Sequence, residues 1–172
     1  MEKNEINGLL DQMCQEISRI ENSRIPNVSK DYILNLSKLV EEENILQYII
    51  ERMEAEDVIH LDDVLCEILK IDGMNLTEKQ MVKLAALPTK HPFYFEENII
   101  ACIIDSVEDK ISHTTIEKIA RSLERNTDDF FSDYLDCLWD NIFRDDITEK
   151  EKEKARKIYE ETKDWFFDKG WL

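Results

Sequence analysis

Glycine and proline number only three each in 172 residues, too few for the many tight turns of a sandwich or barrel. The glycines, Gly8, Gly73 and Gly170, stand far apart. Phosphate-cradling loops need them clustered, so P-loop and dinucleotide fingerprints are excluded. No stretch approaches the ~18 apolar residues of a membrane-spanning helix, and the amino terminus lacks a basic start followed by an apolar run. A cytoplasmic protein is therefore expected, with no membrane partner.

Metal-ligand and nucleophile patterns are equally scarce. A di-iron bundle requires paired Glu-x-x-His motifs, and only Asp57-x-x-His60 comes near. His91 and His113 stand alone. Cys14, Cys66, Cys102 and Cys137 form no CxxC pair and adjoin no histidine; they read as reduced, mostly buried thiols acting as small hydrophobes. No GxSxG-like sequence marks a serine nucleophile. Asp128-Asp129-Phe130-Phe131-Ser132-Asp133 superficially looks like the aspartate-rich motif of terpenoid synthases. Its spacing has one residue too many, however, and no second metal motif faces it. No enzyme activity, cofactor or metal is expected.

Cations are also in deficit. The net charge of −17 would repel a nucleic-acid backbone and attract a basic surface. The imbalance is uneven, because residues 148–172 carry seven acids and seven bases. The whole excess lies in 1–147.

What the sequence does have is helical periodicity. Apolar residues recur at three- and four-residue steps in successive segments, predicting an all-α chain of about nine helices. It is read as one domain over 1–172, an irregular bundle or a stack of antiparallel, HEAT-like helix pairs, with 77–125 the most pair-like stretch. Ser29 is a plausible helix cap, and Thr77/Gln80, Thr114/Glu117 and Thr148/Glu151 carry capping-box spacing. Gly73 and Gly170 suit helix ends, with Trp171 able to fold back on the last turn. Residues 93–108, the most apolar segment, are expected to form the central, most enclosed helix.

The candidate site is the helix expected over 127–146. Asp129, Asp133, Asp136 and Asp140 are spaced four, three and four, which places them on one stripe, with Phe131, Leu135, Leu138 and Ile142 opposite. Thr127 can cap this helix, and Asp128 and Asp129 complement its positive end. Asp145 and Asp146 extend the negative potential, while Trp139 and Phe143 border it, partly exposed. Four like charges at helical spacing are locally destabilising; such a face is either an ordinary solvated one or has a reason to exist in steering a basic partner. These eight residues are the expected partner-binding surface, for a basic protein. Glu41, Glu42 and Glu43, and the group Glu51, Glu54, Glu56, Asp57, Asp62 and Asp63, are secondary candidates.

Small size, strong acidity, an all-helical build and the absence of catalytic motifs together resemble the immunity proteins of bacterial polymorphic toxin systems, such as contact-dependent growth inhibition. The resemblance is one of overall character across the chain and carries over no functional residue. It implies an acidic protein that covers the active site or substrate groove of a cognate toxin domain, often a basic nuclease. Two other classes stay open: a helical-repeat scaffold or adaptor for a peptide or protein, favoured if 93–95 are exposed, and a small enzyme, favoured if carboxylates of two helices meet in a cleft. Oligomeric state is not legible.

Overall fold

The structure, a computed structural model, describes every residue except 24–26, 108–109 and 124–126 and the side chain of Thr127. The cap expected from Thr127 and the Pro26 break therefore lie outside the described residues. The chain is all-α: among the described residues there are nine helices of eight or more residues, one single-turn helix and one 3₁₀ turn. None of these helices is long and apolar enough to cross a membrane. Backbone contacts divide the chain into two compact units, Met1–Ser106 and Val107–Leu172.

The first unit holds α1 (Lys3–Glu21), α2 (Lys30–Val40), α3 (Ile45–Ala55), α4 (Leu61–Leu69), α5 (Glu78–Ala85), the single turn α6 (Leu87–Lys90) and α7 (Glu96–Asp105). Ser29 caps α2 by accepting from Tyr32 N, and Thr77 and Gln80 close a full capping box on α5. Asn44 separates α2 from α3 with a left-handed φ of 65°, a conformation that asparagine tolerates better than most side chains.

The central element is α4, which packs against α1, α3 and α7. Seven of its nine residues are buried. This corrects the expectation that 93–108 form the most enclosed helix. Phe93, Tyr94 and Phe95 precede α7 in a loop, and α7 buries only Ile99, Ile100, Cys102 and Ile103 on one face. A segment rich in apolar residues was not apolar on every side once the helix began three residues later than expected.

Close packing of α4 on α7 also brings Cys66 and Cys102 together as a disulfide, with Cα atoms 5.0 Å apart. That overturns the expectation of four reduced thiols. The two cysteines are 36 residues apart on different helices, so only tertiary packing could reveal the pair. Cys14 and Cys137 lie outside it, and burial pushes the Cys14 thiol up to about 12.

The second unit holds α8 (His113–Leu123), α9 (Thr127–Asp140), a 3₁₀ turn (Asn141–Phe143) and α10 (Glu149–Asp168). Thr148 and Glu151 form the capping box expected of them. Thr114 and Glu117 do not. Helix α8 starts earlier, where Thr115 N donates to Ser112 Oγ, and Glu117 pairs instead with Lys169 at 2.8 Å. At the end of α10, Gly170 takes a left-handed φ of 69° and Trp171 N bonds back to Phe166 O. The Trp171 ring then stacks on Phe131 at 4.5 Å, as the folded-back arrangement anticipates.

Candidate functional site

Helix α9 divides into a buried aromatic face and an exposed acidic one. Phe130, Phe131 and Tyr134 are fully buried, and Leu135, Leu138 and Ile142 nearly so. Phe131 meets Phe166 of α10 at 4.7 Å. Tyr134 keeps its hydroxyl satisfied by accepting from Ile111 N at 2.9 Å. The sequence pattern found one side of this face, Phe131, Leu135, Leu138 and Ile142, but not Phe130 and Tyr134. Both widen it toward the rest of the unit.

Asp129, Asp133, Asp136 and Asp140 are all exposed. Among the described residues none of the four has an ion-pair partner within 4 Å. Partial desolvation, and then the neighbouring charges of Asp129 and Asp136, push the Asp133 carboxyl above its usual range. The repulsion expected of the spacing is thus felt at the middle of the stripe. Its cost is small, a few tenths of a kcal/mol per adjacent pair. Burying one Phe or Leu side chain contributes about 1.5–3 kcal/mol, so the opposite face easily holds the helix in place.

The stripe ends where α9 tightens into the 3₁₀ turn, earlier than the helix expected to run to 146. Beyond it the two remaining candidates differ. Asp145 is exposed, whereas Asp146 is gripped by Arg144 through two bonds of 2.9 and 2.6 Å, which hold its carboxyl below the usual value. Asp146 is already partly neutralised and offers less to a partner than Asp145.

Trp139 and Phe143 are 45% and 61% exposed, as the sequence suggested, and they touch at 5.2 Å. A third ring, not anticipated, completes the group: Tyr159 of α10 lies 5.1 Å from Trp139. The three form an aromatic ridge beside the acidic stripe. The same unit has an open groove of about 450 Å³ whose lining includes Leu138, Ile147, Ala155 and Ile158 together with Arg144 and Lys154. Tyr159 could not be assigned from sequence, because its place in the ridge depends on how α10 lies against α9.

Carboxylates from two helices also converge in a cleft of the first unit, the arrangement named above as favouring a small enzyme. Glu21 at the end of α1, with Asp63 and Glu67 of α4, lines this cleft together with Tyr32 and Asn98. His60 stands beside them, Nδ1 2.9 Å from Asp63 and Nε2 3.4 Å from Glu21. Glu21, His60 and Asp63 are the group of potential metal ligands brought together among the described residues. Asp63 also accepts from Asn98 at 2.6 Å, and the neighbouring Glu67 is held by Lys70 at 2.7 Å. An ion here would have to displace one of the contacts of His60. The set acts as a tie between α1 and α4, and Asp57, the residue sequence paired with His60, instead faces His91 at 2.8 Å.

The chain matches no family model, and no curated protein or solved structure is similar to it.

Proposed function

We propose that this chain is an acidic binding protein that neutralises a basic protein partner, acting as an immunity protein that blocks a cognate toxin domain such as a nuclease. The observation that carries this reading is the solvent face of α9, four exposed aspartates without ion-pair partners among the described residues, set beside Trp139, Phe143 and Tyr159. It works by occupation and not by reaction. Asp129, Asp133, Asp136, Asp140 and Asp145 pair with Lys and Arg that would otherwise hold nucleic-acid phosphates, and they speed encounter. The aromatic ridge supplies the anchor that slows dissociation. No catalytic residue, metal or cofactor enters this mechanism.

Cytoplasmic action is part of the proposal, and the Cys66–Cys102 disulfide is the feature that speaks against it, since cytosolic thiols are held reduced. Alkylation of intact cells followed by mass measurement decides the point: a chain with four alkylated thiols agrees, and one with two does not. For the function itself, the tagged protein is used to retain partners from the cells that make it, first at low and then at moderate salt. One stoichiometric basic protein, released as salt rises and poisonous when expressed alone, is the expected result. No retained protein, or several held equally at both salt levels, overturns the reading.

A second reading, a scaffold or adaptor that binds a peptide or protein, is favoured by a different observation. Phe93 and Phe95 are 50% and 66% exposed.

A further inference from the structure

Two connections of the first unit are fastened to each other. Tyr94, 2% exposed, donates its hydroxyl hydrogen to Glu56 O at 2.5 Å and accepts from Val58 N at 3.3 Å. His91 Nε2 donates to Glu54 O at 3.0 Å, and Nδ1 lies 2.8 Å from Asp57. Phe95 N donates to Asp62 at 3.4 Å. Asp62 is itself buried, receives a second bond from Asn98 at 3.1 Å, and its carboxyl is raised by that burial. The segment 91–95 is thereby held by its own polar groups against 54–62.

With Tyr94 taking the inward position, its neighbours Phe93 and Phe95 stand in water. Ile59, one residue beyond Val58 on the facing loop, is 54% exposed. Three large apolar side chains on a mobile loop could simply fold inward. On segments fixed by five hydrogen bonds and ion pairs, the backbone that carries them is already ordered, which lowers the cost of binding. Exposed large apolar side chains carried on two segments fastened to each other are the kind of surface that marks an interaction site.

Charge decides the occupant. Residues 53–69 and 91–107 contain no Lys or Arg. Glu56, Asp57 and Glu97 are exposed around the three apolar residues. The cations reaching this area from other helices are already engaged: Lys83 holds Glu54 at 2.8 Å, and Arg52 holds Asp11 and, at 3.5 Å, Glu56. An anionic lipid surface, a nucleic acid or a second copy of this acidic face would all be repelled.

We infer that Ile59, Phe93 and Phe95 form a preformed platform that docks a short basic, amphipathic segment of a partner protein, its apolar side chains on the platform and its Lys or Arg against Glu97, with Glu56 and Asp57, already paired with Arg52 and His91, adding to the negative potential around it. This rests on the second, peptide-binding reading above and names its site and the chemistry of its ligand. It also absorbs Glu56 and Asp57, which the sequence marked only as secondary acidic candidates.

The probe is a fluorescein-labelled peptide with Leu at helical spacing and Lys between, titrated against the full-length protein by anisotropy. Control peptides carry Glu for Lys, or Ser for Leu. The Leu–Lys peptide is expected to bind and both controls to fail. Phe93→Ser with Phe95→Ser should weaken binding about tenfold or more with only a small change in melting temperature, because half or more of each side chain is already exposed. Glu97→Lys should weaken it less and flatten its salt dependence. Binding that survives the serine substitutions but is lost in Asp136→Lys/Asp140→Lys places the peptide on α9 and overturns the site while leaving peptide binding intact. Equal binding of the Glu peptide, no binding of the Leu–Lys peptide, or self-association abolished by the serine substitutions overturns the inference outright.

Discussion

Helices α9 and α10 lie side by side and share one aromatic core, yet they treat charge in opposite ways. On α10, acids and bases alternate and pair along the helix: Lys152 with Glu149 at 3.2 Å, Lys157 with Glu161 at 3.8 Å and Lys163 with Glu160 at 3.9 Å. On α9 the aspartates follow one another with no base between them. Both helices are held by the same kind of burial, so the difference cannot be a requirement of folding. A solvated helix face is ordinarily built like α10, with modestly favourable pairs. The α9 face gives up that small gain and keeps its charge available. The contrast separates a surface whose charges pair among themselves from one whose charges, among the described residues, do not.

The comparison breaks most sharply at the core both helices share. Phe131→Ala or Phe166→Ala should cost about 3–5 kcal/mol, measured by denaturant unfolding. A loss below about 1 kcal/mol would mean that α9 is held by something other than this burial. Next in size is the α10 cap. Glu151→Ala removes the side chain that accepts from Thr148 N at 2.7 Å and should lower the unfolding midpoint by clearly less than either Phe substitution.

pH sharpens the contrast, because the two helices respond with opposite sign. The bonds from Thr148 lower the Glu151 carboxyl in the folded state, so its contribution is present above the unfolded Glu value, ~4.3, and is lost as pH falls through the lowered folded value. The Asp133 carboxyl is raised. Its favourable contribution is present below the unfolded Asp value, ~3.9, and is lost as pH rises through the raised folded value. Asp133→Asn should therefore exceed the parent in stability at neutral pH by a few tenths of a kcal/mol, and the gap should close on acidification. A gap that widens at low pH would contradict the assignment of repulsion to this stripe.

Smallest is the effect of reversing charge on the balanced helix. Glu153→Lys with Glu160→Lys should change stability by less than ~1 kcal/mol.

Much of this was legible in the sequence, and the residues show where legibility stops. Periodicity and capping chemistry are local, so the helices, the caps at Ser29, Thr77 and Thr148, and the turn at Gly170 could be read directly. The Thr114/Glu117 pattern misled because Ser112, two residues earlier, can cap as well, and Glu117 gains more from Lys169. The 93–95 run misled differently. Its composition says "buried", but burial of Phe93 or Phe95 requires a partner surface, and Tyr94 alone has one. Tyr159 in the aromatic ridge, the Cys66–Cys102 bond and the Glu21–His60–Asp63 tie are all tertiary, joining residues from separate helices. The division at Ser106–Val107 has no run of glycine or proline to announce it.

The central claim is that the α9 face, and not negative charge in general, draws the basic partner. The measurement that tests it most directly is the association rate of that partner, across a salt series, with three proteins: the parent, Asp136→Lys/Asp140→Lys, and Glu153→Lys/Glu160→Lys. The two variants change net charge equally, so only position distinguishes them. The account predicts a rate about tenfold or more lower, with a flatter salt dependence, for the α9 variant, and a rate close to the parent's for the α10 variant. Equal slowing of both variants, or no slowing of the α9 variant, would contradict it.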